Sequence, residues 1–303
     1  MAVKSIAIVA FLLFMFNLSV FSQANEAAYR VYDATGKAAT LDQIIEAAGR
    51  SDVVFLGENH DDATAHALQL QIFRAVVEKY GKDRRVALSM EMFERDVQIV
   101  VNEYLNGLIS ENHFLASSRP WNNYKQDYRP LVELAREKKL PVIAANAPRR
   151  YVNMVSRNGR DSLNALSSEA KKWLAPLPFS AASEAYTNKF KALMGKSPEA
   201  MMGIDKIMDS QALWDATMSF SVGEYLKSVK NSLVVHLNGA FHTENRLGTA
   251  EQLLKFRPKA RVLVVTIRYE DDFTKFDQTK HAGLGDFVIL TDSKVPRSFK
   301  QSQ

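Results

Sequence analysis

The sequence contains no cysteine among its 303 residues. Disulfide bonds, thiolate metal sites and a cysteine nucleophile are therefore excluded. A lipid anchor attached to a cysteine behind a signal peptide is excluded for the same reason. The stability of the fold must come from a buried apolar core, and 303 residues are enough to form one around a sheet.

Basic clusters are also lacking, although the formal net charge is +5. A nucleic-acid surface needs a basic patch or stripe, so we expect no nucleic-acid partner. The scattered positive charge fits an anionic small ligand or a negatively charged envelope. No repeat or low-complexity tract is present.

Residues 1–24 have the features of a secretory signal. Lys4 supplies the charged start, residues 6–16 are almost all apolar, and Ser22 and Ala24 suit a signal peptidase. An uncleaved membrane anchor is the alternative, and the short apolar run disfavours it. We predict export to the periplasm or cell envelope.

Residues 25–303 predict one α/β domain with a mostly parallel central sheet and helices on both faces. Nearly continuous apolar runs are typical of strands covered on both sides. Six such runs occur, at 53–56, 86–90, 141–145, 233–237, 262–267 and 287–290. Helical spacing and stop signals predict three helices. One lies between the first two strands, the second at 95–106 and the third at 131–139.

The stretch from about 149 to 230 interrupts this alternation. It has helical apolar patterns, three prolines and a cluster of methionines, without a convincing strand. Methionine adapts to irregular apolar ligands, but core filling explains the cluster equally simply. Because the stretch follows the third predicted strand, we expect a helical cap over the carboxyl edge of the sheet.

Two Gly-x-x-His elements follow directly on predicted strands: Gly57-Glu58-Asn59-His60 and Gly239-Ala240-Phe241-His242. Turns of this kind lie at the carboxyl edge of a parallel sheet, where ligands bind. The two histidines could therefore share one pocket. Further polar residues follow other strands, and the full set at this edge is Glu58, His60, Glu91, Asn146, Asn238, His242 and Arg268.

Several chemistries remain open for these residues. Two histidines and two carboxylates, Glu58, His60, Glu91 and His242, could bind a divalent metal. The same four could form a metal-free acid–base set. Arg95 could neutralise Glu91 or bind an anionic ligand group.

An aromatic and basic segment precedes the predicted helix at 131–139. Trp121, Tyr124 and Tyr128 lie in a predicted loop near the pocket mouth, and Tyr151 follows two arginines. A tyrosinate can ligate ferric iron. These rings could equally pack the cap against the sheet.

The remaining histidines do not suggest ligands. His66 is six residues from His60, which is not a spacing for partners on one helix face, so we expect a surface or packing role. His236 lies in an apolar strand and is expected in the core. His113 and His281 lie in polar surroundings and are expected to be solvated.

Five sequence blocks together resemble the ChaN family, a group of haem-binding proteins associated with iron uptake in the Tiki and erythromycin-esterase superfamily. The match runs from about residue 29 to residue 290, and the blocks occur in the family's order. They are LGENHD at 56–61, EMFERD at 91–96, residues 121–133, IAANAPR at 143–149 and GAFH at 239–242.

The resemblance implies that haem is bound with help from a tyrosine, and we predict that His60, Glu91, Arg95 and His242 contribute to the same site. It also implies a homodimer, and an outer-membrane haem receptor is a partner consistent with uptake. Superfamily relatives instead use the paired Gly-x-x-His elements and a glutamate for hydrolysis. The expected function is therefore haem binding for haem or iron uptake, with a hydrolase as the alternative.

The sequence departs from the family in two respects. Many members are lipoproteins anchored through a cysteine, which is absent here. Relatives often have a pair of histidines in the first helix after the first strand, whereas this chain has only His66, followed by Ala67.

Overall fold

A computed structural model describes residues 26–194 and 203–299. Its strands are β1 (Tyr29–Asp33), β2 (Ala38–Ala39), β3 (Val53–Glu58), β4 (Arg85–Glu94), β5 (Val142–Asn146), β6 (Ser232–Gly239), β7 (Val262–Glu270) and β8 (Phe287–Asp292). Its α-helices are α1 (Leu41–Gly49), α2 (Ala63–Tyr80), α3 (Gln98–Leu105), α4 (Glu111–Ser118), α5 (Arg129–Glu137), α6 (Arg149–Asn158), α7 (Ser168–Lys171), α8 (Glu184–Met194), α9 (Ile204–Ser228), α10 (Thr249–Phe256) and α11 (Gln278–His281).

The strands form one eight-stranded sheet in the order β2-β1-β8-β7-β3-β6-β4-β5. The six strands from β8 to β5 are mutually parallel, and β1 and β2 add an antiparallel edge. These six are the six predicted strands, so the predicted fold class is confirmed. Strand β1 was missed because its alternating YRVYD sequence is not a continuous apolar run, and β2 has only two residues.

Helix α2 begins where the sequence supplies a cap. The Asp62 carboxylate accepts the backbone N–H groups of Thr64 at 3.0 Å and Ala65 at 3.1 Å, which satisfies donors that the first turn cannot pair internally. The helix ends at Tyr80, and Gly81 caps it. This N-cap fixes the angle at which α2 leaves the edge of the sheet and so directs its first turn, including His66, towards β3.

The segment 149–230 contains α6 to α9 and no strand among its described residues. Helix α9 packs on α6, β5 and β6 and carries most of the buried face of this segment. This segment, the predicted cap, therefore packs against β5 and β6. Met201 and Met202, two members of the methionine cluster, lie outside the described residues, whereas Met208 and Met218 are buried in the core.

No helix among the described residues is long and apolar enough to cross a membrane. The predicted signal at 1–24 lies outside them.

His236 lies inside β6 and is fully buried, as predicted. Its Nδ1 is 2.8 Å from Ser89 Oγ, and its Nε2 has no hydrogen-bond partner among the described residues. Burial, reinforced by the nearby positive charge of His242, lowers the pKa of His236 from 6.5 to about 3. The folded protein therefore holds this imidazole neutral.

Replacing His236 with leucine should reduce the acid sensitivity of the fold. A histidine with a lowered pKa destabilises the folded state as pH falls below 6.5, because the unfolded chain then binds the proton more readily. Between pH 7 and pH 5 the wild type should lose about 2 kcal/mol more unfolding free energy than His236→Leu does. Urea unfolding at the two pH values measures this difference, and equal losses would contradict it.

Candidate functional site

The two Gly-x-x-His elements end neighbouring parallel strands. In the β3–β6 pair, Gly57 lies beside Asn238 and Glu58 beside Gly239. A side chain on Gly57 would place its Cβ 2.9 Å from the Ala240 Cα atom. The first glycine therefore allows the backbone of the second turn to pack directly against the first.

Gly239 allows the His60 ring of the first turn to lie close to the backbone of the second. A Cβ on this residue would lie 2.8 Å from Nε2 of His60 and 2.9 Å from its Cε1. A Cβ at this distance would force the His60 ring to shift, so glycine lets the ring lie over the second strand end. The glycines thus bring the two turns together.

A cavity of about 670 Å³ opens between these strand ends and the cap. Its volume lies within the range of sites that bind drug-sized organic ligands. Its lining residues are His60, Glu91, Trp121, Asn146, Arg149, Val152, Asn153, Ser156, Ile207, Ser210, Gln211, Trp214 and His242. A second cavity of about 660 Å³ adjoins it and shares His60, Trp121 and Arg149.

Two polar atoms in the wall of the first cavity are buried without a hydrogen-bond partner in the described part of the chain. They are Nε1 of Trp214 and Oε1 of Gln211, both on α9. Buried polar groups in native proteins are normally paired. Their position in the wall is consistent with a site that is completed by a ligand or by water.

Glu58 is the centre of a buried hydrogen-bond network beside this cavity. Its Oε1 atom accepts the hydroxyl of Tyr128 at 2.5 Å and lies 2.9 Å from Nδ1 of His60. Its Oε2 atom lies 3.2 Å from Nδ1 of His66. Because Glu58 occupies Nδ1 of His60, the other ring nitrogen of this partly exposed histidine remains available to the cavity.

His66 extends this network away from the cavity. Its Nε2 lies 3.1 Å from the backbone oxygen of His60 and 3.4 Å from Oδ2 of Asp127. Asp127 also accepts hydrogen bonds from Asn123 at 2.7 Å and Ser298 at 2.8 Å. The expected surface position of His66 is wrong, because the start of α2 turns this side chain back onto the end of β3, where it is buried and packs edge-on against Tyr128.

The pKa values within the network shift in opposite directions. Burial disfavours the charged Glu58, but its contacts with His66 and His60 outweigh burial and lower its pKa from 4.5 to about 2. Burial likewise disfavours charged His66, yet Glu58 and Asp127 raise its pKa from 6.5 to about 9. Both groups are therefore charged at neutral pH.

A second carboxylate–histidine pair lies on the other side of the cavity. Nδ1 of His242 is 2.8 Å from Oδ1 of Asp215, which also accepts the Thr249 hydroxyl at 2.7 Å. Nε2 of His242 is 3.8 Å from Oε1 of Glu91. Burial opposes protonation of His242, but Asp215 and Glu91 outweigh it and raise its pKa to about 9.

Glu91 owes its position to an irregularity in β4. The register between β4 and β5 shifts between Met90 and Glu94, and such bulges commonly re-aim side chains near active sites. Oε2 of Glu91 accepts the backbone N–H of Gly239 at 2.7 Å. Glu91 therefore links β4 to the second Gly-x-x-His turn.

The tyrosines predicted as haem ligands lie in different surroundings. Tyr124 packs in the core against Phe93 and Phe114, and Tyr128 is fully buried with its hydroxyl on Glu58. Burial raises the pKa of both phenols, and nearby carboxylates add to the effect. The expected pocket-mouth position is wrong for these two rings, because residues 124–128 form a π-helical turn that directs them inward.

Tyr151 is the predicted tyrosine that stays partly exposed. Its ring lies 4.4 Å from the guanidinium carbon of Arg150, whose Nη2 donates to the phenol oxygen at 3.3 Å. Tyr151 does not line either cavity, although Arg149 and Val152 beside it do.

Three further predicted roles are corrected by the structure. Arg95 donates to the Ser221 hydroxyl at 2.6 Å and packs over the Phe220 ring, and it has no recorded contact with Glu91. His281 is buried rather than solvated, with Nε2 at 3.1 Å from Glu270. Arg268 forms an ion pair with buried Glu244 at 2.7 Å and does not line the cavity.

The two Asn predictions have different outcomes. Asn146 lines the first cavity at the end of β5, as expected for that edge. Asn238 is fully buried and donates to Thr243 at 3.0 Å, where it braces the second turn. His113 is exposed on α4, as predicted.

A divalent-metal site is not supported. Among the described residues no group of three or more His, Asp or Glu side chains is arranged to hold a metal ion. The four candidate ligands diverge because the oxygens of Glu58 face His60, His66 and Tyr128, whereas one Glu91 oxygen is held by the Gly239 backbone.

Several residues of the site were missed from the sequence. They are His66, Asp127, Arg149, Gln211, Trp214 and Asp215. Asp215 carried a usable signal, because it is a charged residue between apolar neighbours in a helix. Arg149 ends the IAANAPR block and His66 lies where relatives often have a histidine pair, whereas Asp127, Gln211 and Trp214 have no local signal.

A family model described as "Haem-binding uptake, Tiki superfamily, ChaN" matches residues 44–253. The chain belongs to this family. The resemblance drawn from the sequence blocks is thereby confirmed.

Solved structures show the same fold for this ChaN-family protein. A structure described as cofacial heme binding to ChaN of Campylobacter jejuni has a TM-score of 0.69 at 18% identity, covering 90% of this chain and 100% of that one. A Bacillus cereus protein has a TM-score of 0.51 at 11% identity, covering 91% and 97%. At these identities the likeness shows the fold alone.

One curated relative is protein RETICULATA-RELATED 5, chloroplastic, of Arabidopsis thaliana. It is 23% identical over 240 residues, or 74% of this chain. The chain spans only 32% of that protein's length, so the match covers one region of a longer relative.

Breaking the Glu58–His66 contact should destabilise the fold, and the effects of substituting the two residues should not be additive. Glu58→Gln and His66→Gln should each lower the unfolding free energy by about 3 kcal/mol, because each leaves a buried charge without its partner. The double variant should lose about 1–3 kcal/mol less than the sum of the two. Urea unfolding of the four proteins near pH 6 measures the coupling.

The chosen pH follows from the two pKa shifts. Stability due to Glu58 is present above pH 4.5 and is lost as pH falls towards 2. Stability due to His66 is present below pH 6.5 and is lost as pH rises towards 9. Exposed His113→Gln is the matched control and should change little, and strictly additive losses in the cycle would contradict the network.

Proposed function

We propose that this protein binds haem in the cavity between the two Gly-x-x-His turns and the cap. The observation that carries the proposal is His60, whose Nδ1 is held by buried Glu58 while Nε2 makes no hydrogen bond among the described residues. A histidine oriented through one nitrogen by a carboxylate is a common arrangement for metal ligation through the other.

The cavity walls suit a flat aromatic ligand. Trp121 and Trp214 both line it. The His60 ring meets Trp121 edge-on, with centroids 4.8 Å apart, and His242 meets Trp214 in the same manner at 6.3 Å. Rigid indole rings contribute large apolar contact area, which supports haem over a small polar ligand.

His60, which lines both cavities, is the residue that would hold haem iron, and Tyr151, which lies outside the cavity lining beside Arg149 and Val152, is the alternative. Tyr124 and Tyr128 do not fit this role, because each phenol is buried and burial raises its pKa. Haem, when bound, would supply an iron centre that a nitrogen or oxygen atom of the protein could ligate. His242 and Glu91 line the same cavity and would lie beside the ligand. His242 would keep its contact with Asp215, and Glu91 would keep its hydrogen bond from the Gly239 backbone.

Protonation of His60 competes with metal ligation. Burial lowers the proton affinity of this ring, but Glu58 and Glu91 outweigh burial and raise its pKa above 6.5. Only the neutral imidazole binds a metal. Haem affinity should therefore increase as pH rises through the pKa of His60.

We extend the proposal to the cellular role. The signal-like segment at 1–24 supports export to the periplasm or cell envelope, and family membership supports a part in haem or iron uptake. A homodimer and an outer-membrane haem receptor are the partners that this role would require. Light scattering with and without haemin tests the homodimer.

Haemin titration of His60→Ala and Tyr151→Phe tests the ligand assignment. The wild type should show a saturable Soret shift. His60→Ala should bind at least about tenfold more weakly, or ~1.4 kcal/mol, because it loses the imidazole. Added imidazole should restore the wild-type spectrum to this variant.

His113→Ala is the matched control, since it removes an exposed histidine away from the cavity. Wild-type spectra identical to those of free haemin would disprove haem binding. Loss of a phenolate charge-transfer band in Tyr151→Phe, with unchanged binding by His60→Ala, would transfer the ligand role to the tyrosine.

Hydrolysis is a second candidate because of the Asp215–His242–Glu91 arrangement. Asp215 orients His242, and the raised pKa keeps this ring protonated at neutral pH, so it would act as a general acid. Glu91, 3.8 Å away, would be the base that activates water.

An ester and peptide substrate panel tests this second function. His242→Ala and Asp215→Asn should each reduce turnover about a hundredfold or more. His113→Ala should leave it unchanged. Turnover that survives both cavity substitutions would exclude the mechanism, and it would leave haem binding untouched.

A further inference from the structure

Arg149 occupies a position that is unfavourable for a cation. It is the first residue of α6, and the first turn of this helix contains no acidic side chain. Pro148, the N-cap residue, provides no side-chain hydrogen bond. Because the start of a helix carries partial positive charge, an arginine there costs stability unless another group compensates.

Carboxylates neutralise the charges of two nearby arginines but not the charge of Arg149. Arg119 pairs with Glu94 at 2.9 Å and Asp96 at 2.5 Å, and Arg150 pairs with Asp96 at 2.5 Å. In the part of the chain that the structure describes, Arg149 has no ion pair. Local rules broken without compensation are expected at functional sites.

Arg149 also lies where the two cavities meet, and it lines both of them. Its guanidinium carbon lies 5.6 Å from the centroid of the Trp121 ring, which also belongs to both cavities. An arginine held over a tryptophan presents its planar fork with little loss of side-chain freedom. The apolar wall and the unpaired cation are thus adjacent.

We propose that Arg149 is the carboxylate-recognising residue of this site, and that it selects flat macrocyclic ligands carrying free carboxylate side arms. The planar guanidinium matches a carboxylate by two parallel hydrogen bonds. The inference rests on the proposed haem-binding function, since the carboxylates in question are those of a porphyrin. It adds a determinant of selectivity that does not depend on the iron ligand.

The test compares ligands that differ only in their carboxylates. Haemin and iron-free protoporphyrin IX are titrated in parallel with their dimethyl esters, by Soret absorbance and by porphyrin fluorescence. Arg149→Gln should bind both free acids about tenfold more weakly, or ~1.4 kcal/mol. It should bind the two esters as the wild type does.

Arg119→Gln is the matched control, because it removes an equal charge from the second cavity that is already paired with carboxylates. It should leave the acid-to-ester preference unchanged, and Arg149→Lys should restore the preference only in part. Melting temperatures confirm that every variant is folded.

The outcomes separate this inference from the proposed function. Equal losses for acids and esters in Arg149→Gln, or no loss for either, would overturn the role of Arg149 while haem binding stands. A wild type that binds protoporphyrin IX with the Arg149-dependent preference, but gives haemin no Soret shift, would support the inference and reject iron ligation. A wild type that binds no porphyrin would overturn both.

Discussion

A single buried carboxylate, Glu58, holds the site together. It ends β3 and is bonded by His60, His66 and Tyr128, which come from the turn, from α2 and from the π-helical turn. Burying a carboxylate is costly unless several groups pair with it. The contacts that meet this cost also orient His60 towards the cavity, so stability and ligand geometry depend on the same atoms.

The glycines of the two turns impose the second constraint. A Cβ on Gly57 would meet the Ala240 backbone and one on Gly239 would displace the His60 ring, and the β3–β6 pairing places the turns side by side. On this base the cavity has two carboxylate-oriented histidines, one more exposed beside Trp121 and one buried beside Trp214. The more exposed His60 suits ligation, whereas buried His242, which lies between Asp215 and Glu91, suits acid–base chemistry.

Sequence patterns predicted the six parallel strands because each is a continuous apolar run between helices. They also predicted the shared pocket of His60 and His242, since turns after parallel strands meet at one edge. The predicted pocket-mouth position of Tyr124 and Tyr128 was wrong, because an aromatic-rich segment has the same sequence pattern whether it faces a ligand or the core. The sequence patterns also failed for His66, whose partner Glu58 lies on a strand rather than at a helical spacing.

The sequence by itself determined the parallel α/β core, the two glycine turns and the family, because these depend on local periodicity and on ordered motifs. Only the tertiary structure decided which polar side chains face the cavity. Arg149 and Arg150 are adjacent in sequence and chemically identical, yet Asp96 neutralises one and leaves the other unpaired. That difference depends on a residue more than fifty positions away, and side-chain pairing over such distances is set by strand order and helix packing.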